Sequence, residues 1–166
     1  MARLQAQTLP GCRGLTLALI NDDFPTGPLP AEVMHAVVAE PAYWAFCWGS
    51  GQALARYLLE NPRMVAGKRV LDLGSGSGVA GIAAAMAGAA IVVACDTDRD
   101  AQLATRYNAQ LNEVDIELID DFTKEKSRST TKPYDAVLMA DVLYDKANLP
   151  LLKLAAQAGE VVWVAD

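Results

Sequence analysis

Basic residues are in short supply. Against 20 Asp and Glu the chain sets 14 Lys and Arg, for a formal net charge of −6. Nonspecific nucleic-acid binding needs a basic face to neutralise phosphates, so that class is excluded, while a cationic substrate suits the balance. Histidine is nearly missing: His35 is the only one, and it reads as a surface or capping residue. Three cysteines, Cys12, Cys47 and Cys95, form no CxxC pair. No zinc spacing can be built from that set, so no metal site is expected, and the thiols read as reduced, small core hydrophobes. The N-terminus (Met-Ala-Arg-Leu-Gln-Ala-Gln) has no apolar signal core, and the expected location is the cytoplasm. Nor is there an apolar run of membrane-spanning length. Val79 to Cys95 is uncharged but short and rich in Ala and Gly, as in a buried helix leading into a buried strand. No membrane partner is expected.

What is present is a chain of 166 residues, 52% hydrophobic and 20% charged, enough for one packed domain. Residues 14–20 read as a short strand, followed by a proline-punctuated loop from Asn21 to Pro30. Pro41 to Gly51 is aromatic, with Tyr43, Trp44, Phe46 and Trp48. A helix is expected over Gln52–Glu60, with Leu54, Tyr57 and Leu58 at helical spacing and Pro62 ending it. Strict alternation follows. Strands are expected at Arg69–Leu73, Ile91–Cys95, Ile116–Ile119, Ala136–Ala140 and Val161–Ala165. Helices are expected at Val79–Ala87, Arg99–Leu111 and Leu149–Ala158. The strands are continuous apolar runs, as when helices cover both faces of a parallel sheet, so the fold class is α/β and Rossmann-like. Thr123 to Pro133 is polar and expected to be mobile. Residues 1–60 form the N-terminal strand, loop and aromatic segment and residues 61–166 the core, together one compact domain. The last strand leaves an apolar edge, and further strands are expected beyond residue 166. The oligomeric state is not legible.

The chemistry concentrates at Val70-Leu-Asp-Leu-Gly-Ser-Gly-Ser-Gly78. A strand, a glycine turn and a helix bring backbone against a nucleotide-like ligand, and a Cβ would block the approach. Two patterns compete. Asp72, Gly74, Gly76 and Gly78 meet Asp-x-Gly-x-Gly-x-Gly, the S-adenosylmethionine pattern. Gly76, Gly78 and Gly81 meet Gly-x-Gly-x-x-Gly, the dinucleotide pattern. Asp72 favours the first, because a carboxylate at the strand end repels a diphosphate and welcomes a cationic amino-acid tail. Ser75 lies within the same turn and counts with the binding residues. Asp96 ends the second strand of the alternating region, where an acid can accept both ribose hydroxyls; its bland alternative is a helix cap, which Asp98 could supply instead. Asp121 and Phe122 stand where a ligand's adenine would be bonded and covered. Asp141 and Tyr144 follow the fourth strand of that region, where an acid and a phenol could orient an amine. Trp48, beside Gly49 and Gly51, is the aromatic singled out for cation–π contact.

These residues carry a resemblance. Val70–Gly78 is similar to motif I of class I S-adenosylmethionine-dependent methyltransferases. The stretch from Pro41 to Leu59 and Asp141-Val-Leu-Tyr144 resemble segments of the seven-β-strand lysine methyltransferases, and within these the enzymes that modify the electron-transfer flavoprotein β-subunit. The similarity runs from about residue 12 to the end. It implies S-adenosylmethionine as cofactor, contacted by Asp72, Gly74, Gly76, Asp96 and Trp48, with Asp141 and Tyr144 bordering a lysine channel. It also implies methyl transfer to a lysine on a partner protein, and a sixth and seventh strand beyond those counted here. Alternatives are a small-molecule N-methyltransferase, an NAD-dependent oxidoreductase and an inactive cofactor-binding module.

Overall fold

The computed structural model describes residues 3–21, 31, 34–35, 41–124 and 132–166. Most of the proline loop and residues 125–131 of the polar segment lie outside the described residues. Five parallel strands form the central sheet: β3 (Arg69–Leu73), β4 (Ile91–Cys95), β5 (Glu117–Ile119), β6 (Tyr134–Ala140) and β7 (Gly159–Ala165), in the order β5-β4-β3-β6-β7. The chain runs outward from β3 to β5, then returns to lay β6 on the other side of β3. That reversal makes the carboxyl ends of β3 and β6 the topological switch point, where open α/β sheets hold their ligands.

Side chains alternate across the sheet, so each strand serves two cores. Leu71, Leu73, Val93, Val137 and Met139 pack with Ala155 and Ala158 of α4 (Pro150–Ala158). Val70, Val92, Ala136 and Leu138 pack on the other face with Leu54 and Leu58 of α1 (Gly49–Glu60) and Ala80 and Ala84 of α2 (Val79–Met86). Burying a Leu or Val side chain fully contributes about 1.5–3 kcal/mol, so these two layers hold the sheet. The residues before position 60 share this core through α1. The helix α3 (Arg99–Leu111) begins at Asp98, whose side chain accepts from the Asp100 N–H at 2.8 Å and caps it.

The expected strands at 69–73 and 91–95 and the helix at 99–111 match the structure residue for residue. Other expected boundaries move by one to three residues, these among them. The helix expected from Gln52 starts at Gly49. The strand expected from Ala136 starts at Tyr134, and the one expected from Val161 starts at Gly159. One strand is new: β1 (Leu4–Thr8) pairs antiparallel with β2 (Thr16–Ile20) in a separate hairpin. Its Leu-Gln-Ala-Gln-Thr alternates over only five largely exposed residues, too short a signal to announce it.

Candidate active site

A cavity of about 860 Å³ opens at the switch point. Its size is that of a site for a nucleoside-sized ligand with an appended tail. The β3–α2 turn forms one wall. Gly74, Gly76 and Gly78 all have positive φ, at 75°, 52° and 82°. They serve different ends. An added Cβ at Gly76 would meet nothing nearer than the Trp44 Cα at 4.0 Å, because that space is the cavity. At Gly74 it would strike Val142 Cγ2 at 2.8 Å. At Gly78 it would press on Thr105 Cγ2 at 3.0 Å and Ile82 Cδ1 at 3.2 Å. Gly78 is the N-cap of α2 and is not part of the wall: it permits packing between α2 and α3. Gly81, the last glycine of the alternative pattern, also serves packing, since its Cβ would lie 2.8 Å from Asp72 Oδ2.

Asp72 sits on the cavity floor with 2% of its surface exposed. Its Oδ2 accepts the Gly81 N–H at 2.8 Å. Burial pushes its carboxyl up to about 7, against the pull of the Gly81 hydrogen bond and with a push from Asp96. A buried acid in that condition is ready to ionise against an arriving cation. Asp96 holds the turn closed from the side: Oδ2 accepts the Gly76 N–H at 2.9 Å and Oδ1 the Asp98 N–H at 3.0 Å. With Asp98 as the helix cap, Asp96 is left to the cavity. Ser75 is buried, its hydroxyl 3.2 Å from Thr105 Oγ1, and Thr105 in turn donates to Gly76 O at 3.1 Å. Asp121 is bonded by the Thr123 hydroxyl and N–H at 2.6 and 2.9 Å, which holds its carboxyl below the usual range, and Phe122 is buried beside it.

The opposite rim is aromatic. Tyr43 lies 6.1 Å from Trp48 and 5.7 Å from Tyr144, and Phe46 lies 5.6 Å from Trp48, ring centre to ring centre. Trp48 Nε1 donates to Tyr43 O at 3.0 Å and so fixes its ring, and the residue stays 46% exposed. Tyr144 is 65% exposed, its phenol pushed up by partial burial and by Tyr43, Asp145 and Asp96. Asp141 stands between rim and floor, its Oδ2 accepting the Gly51 N–H at 2.7 Å.

The cavity thus gathers Trp48, Asp72, Gly74, Ser75, Gly76, Asp96, Asp121, Phe122, Asp141 and Tyr144, leaving out Gly78. Asp120 and Asp166, not singled out from the sequence, and Asp98, read there only as a helix cap, lie on the same wall. Asp166 also accepts the Leu143 N–H at 2.5 Å, tying the loop after β6 to the end of β7. Its place at a strand's carboxyl end was the signal available. Seven aspartates and no Lys, Arg or His line this cavity among the described residues. A diphosphate is a poor fit to such a wall, whereas a sulfonium and an ammonium, with a ribose to take Asp96, match it.

Comparison with known proteins agrees. The family model for ribosomal protein L11 methyltransferase (PrmA) matches residues 52–162. The electron transfer flavoprotein beta subunit lysine methyltransferase of Danio rerio is 47% identical over 105 residues, covering 63% of this chain and 40% of that protein. The Homo sapiens protein of the same name is 43% identical over 109 residues, covering 63% and 39%. The chain spans about two fifths of the length of these curated relatives. Among solved structures, a ribosomal protein L11 methylase from Lactobacillus delbrueckii subsp. bulgaricus superposes with a TM-score of 0.56 at 27% identity, covering 70% of this chain and 60% of that one. With more than half of its residues matched by the family model and the motif I turn set at the switch point of its sheet, the chain belongs to the PrmA family of class I S-adenosylmethionine-dependent methyltransferases.

Proposed function

We propose that this protein transfers a methyl group to a lysine side chain of a partner protein, in the manner named for its electron-transfer flavoprotein relatives. One observation carries the reading: a buried aspartate beneath a bare glycine turn, inside a cavity walled by carboxylates. When bound, S-adenosylmethionine supplies an electrophilic sulfonium methyl. The protein's own residues do the rest. Gly74, Ser75 and Gly76 offer close-approaching backbone, Asp72 takes the ammonium, Asp96 the ribose, and Asp121 and Phe122 the adenine. Trp48, Tyr43 and Tyr144 form an apolar collar at the mouth that excludes water and aligns the incoming chain. The acidic wall draws a lysine ammonium in, and the collar removes water from it, which favours the neutral amine that can attack. The free thiols Cys12, Cys47 and Cys95 support a reducing compartment, and the cytoplasm is the proposed location.

The test is radiolabelled methyl transfer into a cell lysate, resolved by size, beside calorimetric titration with S-adenosylhomocysteine and NAD. Binding of S-adenosylhomocysteine but not NAD, with label recovered in protein as methyl-lysine, is the expected result. Label confined to small metabolites would overturn the protein acceptor. Binding of NAD alone would overturn the cofactor.

A further inference from the structure

Asp141 is held in a way that an acid serving only an acceptor amine does not require. Its φ is +53°, a left-handed backbone at a residue with a Cβ. Its N–H donates to Ala165 O at 2.9 Å, at the end of β7. Its Oδ2 takes the Gly51 N–H at 2.7 Å, in the first turn of α1. That helix has no cap of its own, because the N-cap position is Trp48, whose side chain bonds no backbone N–H there. Gly51 is shaped for the contact: an added Cβ would meet Val79 Cγ1 at 2.9 Å and Asp141 Oδ2 at 3.4 Å. The carboxylate also faces the positive end of the α1 dipole. The residues just before this helix carry Tyr43, Phe46 and Trp48, the collar of the cavity.

We propose that Asp141 is a positioning residue, a clamp that joins the ends of β6 and β7 to the start of α1 and thereby sets the aromatic collar over the cavity. The activity arm of its test rests on the methyl-transfer reading; the spectroscopic arm does not. Asn at this position keeps an oxygen for the Gly51 N–H and tolerates a left-handed backbone, but has no charge. Ala loses the acceptor and is strained, while Gly loses the acceptor without strain.

Asp141→Asn, Asp141→Ala and Asp141→Gly are compared by tryptophan emission, by its quenching with acrylamide, and by methyl-transfer kinetics. The clamp predicts wild-type emission for Asn, and red-shifted, more quenchable emission for both Ala and Gly. It predicts kcat/KM for Asn within roughly fivefold of wild type, the worth of a helix-dipole charge. For Gly, kcat/KM falls about tenfold or more, mostly through KM, the cost of leaving the buried Gly51 N–H without its acceptor. Unchanged emission in all three variants overturns the clamp whatever the kinetics. Asn as inactive as Gly, with wild-type emission, also overturns it and returns Asp141 to direct contact with the acceptor. A wild-type protein without transfer counts against the methyl-transfer reading alone and leaves the clamp to be judged by emission.

Discussion

At the scale of single residues, Asp72 has the strongest consequence. Burial raises its carboxyl from 3.8 to about 7. The folded protein therefore holds a proton that the unfolded chain gives up between those values. This group's contribution to stability is largest at low pH and is lost as pH rises through about 7. A ligand ammonium reverses the balance, because it needs the ionised form. Affinity for S-adenosylhomocysteine is expected to rise with pH up to about 7 and level off above, weakening roughly tenfold for each unit below. Near pH 6 binding should release protons, visible as a dependence of the calorimetric heat on the buffer's ionisation enthalpy. Asp72→Asn should flatten the profile. A flat profile in the wild-type protein would separate Asp72 from the ligand's ammonium.

Whole elements show what a sequence reading can reach. The strand β4 was legible to the residue because the chain writes it as an unbroken apolar run, and β3 because its Val-Leu-Asp-Leu runs straight into the glycine turn that ends it. The site's floor was legible because Asp72, the glycines and Asp96 occupy positions fixed by one local βαβ unit. What escaped was long-range. The start of α1 could not be read from Gly-Ser-Gly, poor helix formers, because its cap is Asp141, 90 positions away. The same holds for α3, which works as a bracket between the hairpin and the glycine turn. Asn108, fully buried, accepts the Ala18 N–H at 2.7 Å and donates to Ser77 O at 2.8 Å. Asn112 adds a second rung, accepting from Thr16 N–H at 2.8 Å and donating to Thr16 O at 2.6 Å. Nothing in an isolated Asn announces this. Asn108→Ala strands two buried backbone groups and should destabilise the protein by roughly 2–4 kcal/mol in denaturant titration. It should also weaken S-adenosylhomocysteine binding, since Ser77 belongs to the turn. Wild-type stability in that variant would show that the hairpin is not bracketed by α3.

For the molecule as a whole, the sheet's two edges differ. At one edge β5 is three residues long and begins at Glu117, whose carboxylate lies 3.8 Å from an Arg69 guanidinium nitrogen. Short, charged edges resist pairing. At the other edge β7 is seven residues long, runs Val-Val-Trp-Val-Ala, and pairs only with β6 among the described residues. Val161 and Val164 are 43% and 46% exposed along it. Its one charge, Glu160, sits at the start, and the five residues from Val161 to Ala165 carry neither charge nor proline, which makes them a template for another strand. The 166-residue chain is therefore expected to associate as its concentration rises, through β7 and away from the cavity's aromatic collar. Val161→Lys places a charge on the strand at an exposed position and should shift the sedimentation profile to monomer, with S-adenosylhomocysteine affinity unchanged. If the wild-type chain sediments as a monomer at high concentration, the long apolar edge does not govern its assembly; if Val161→Lys also weakens ligand binding, edge and cavity are coupled through β6 and β7.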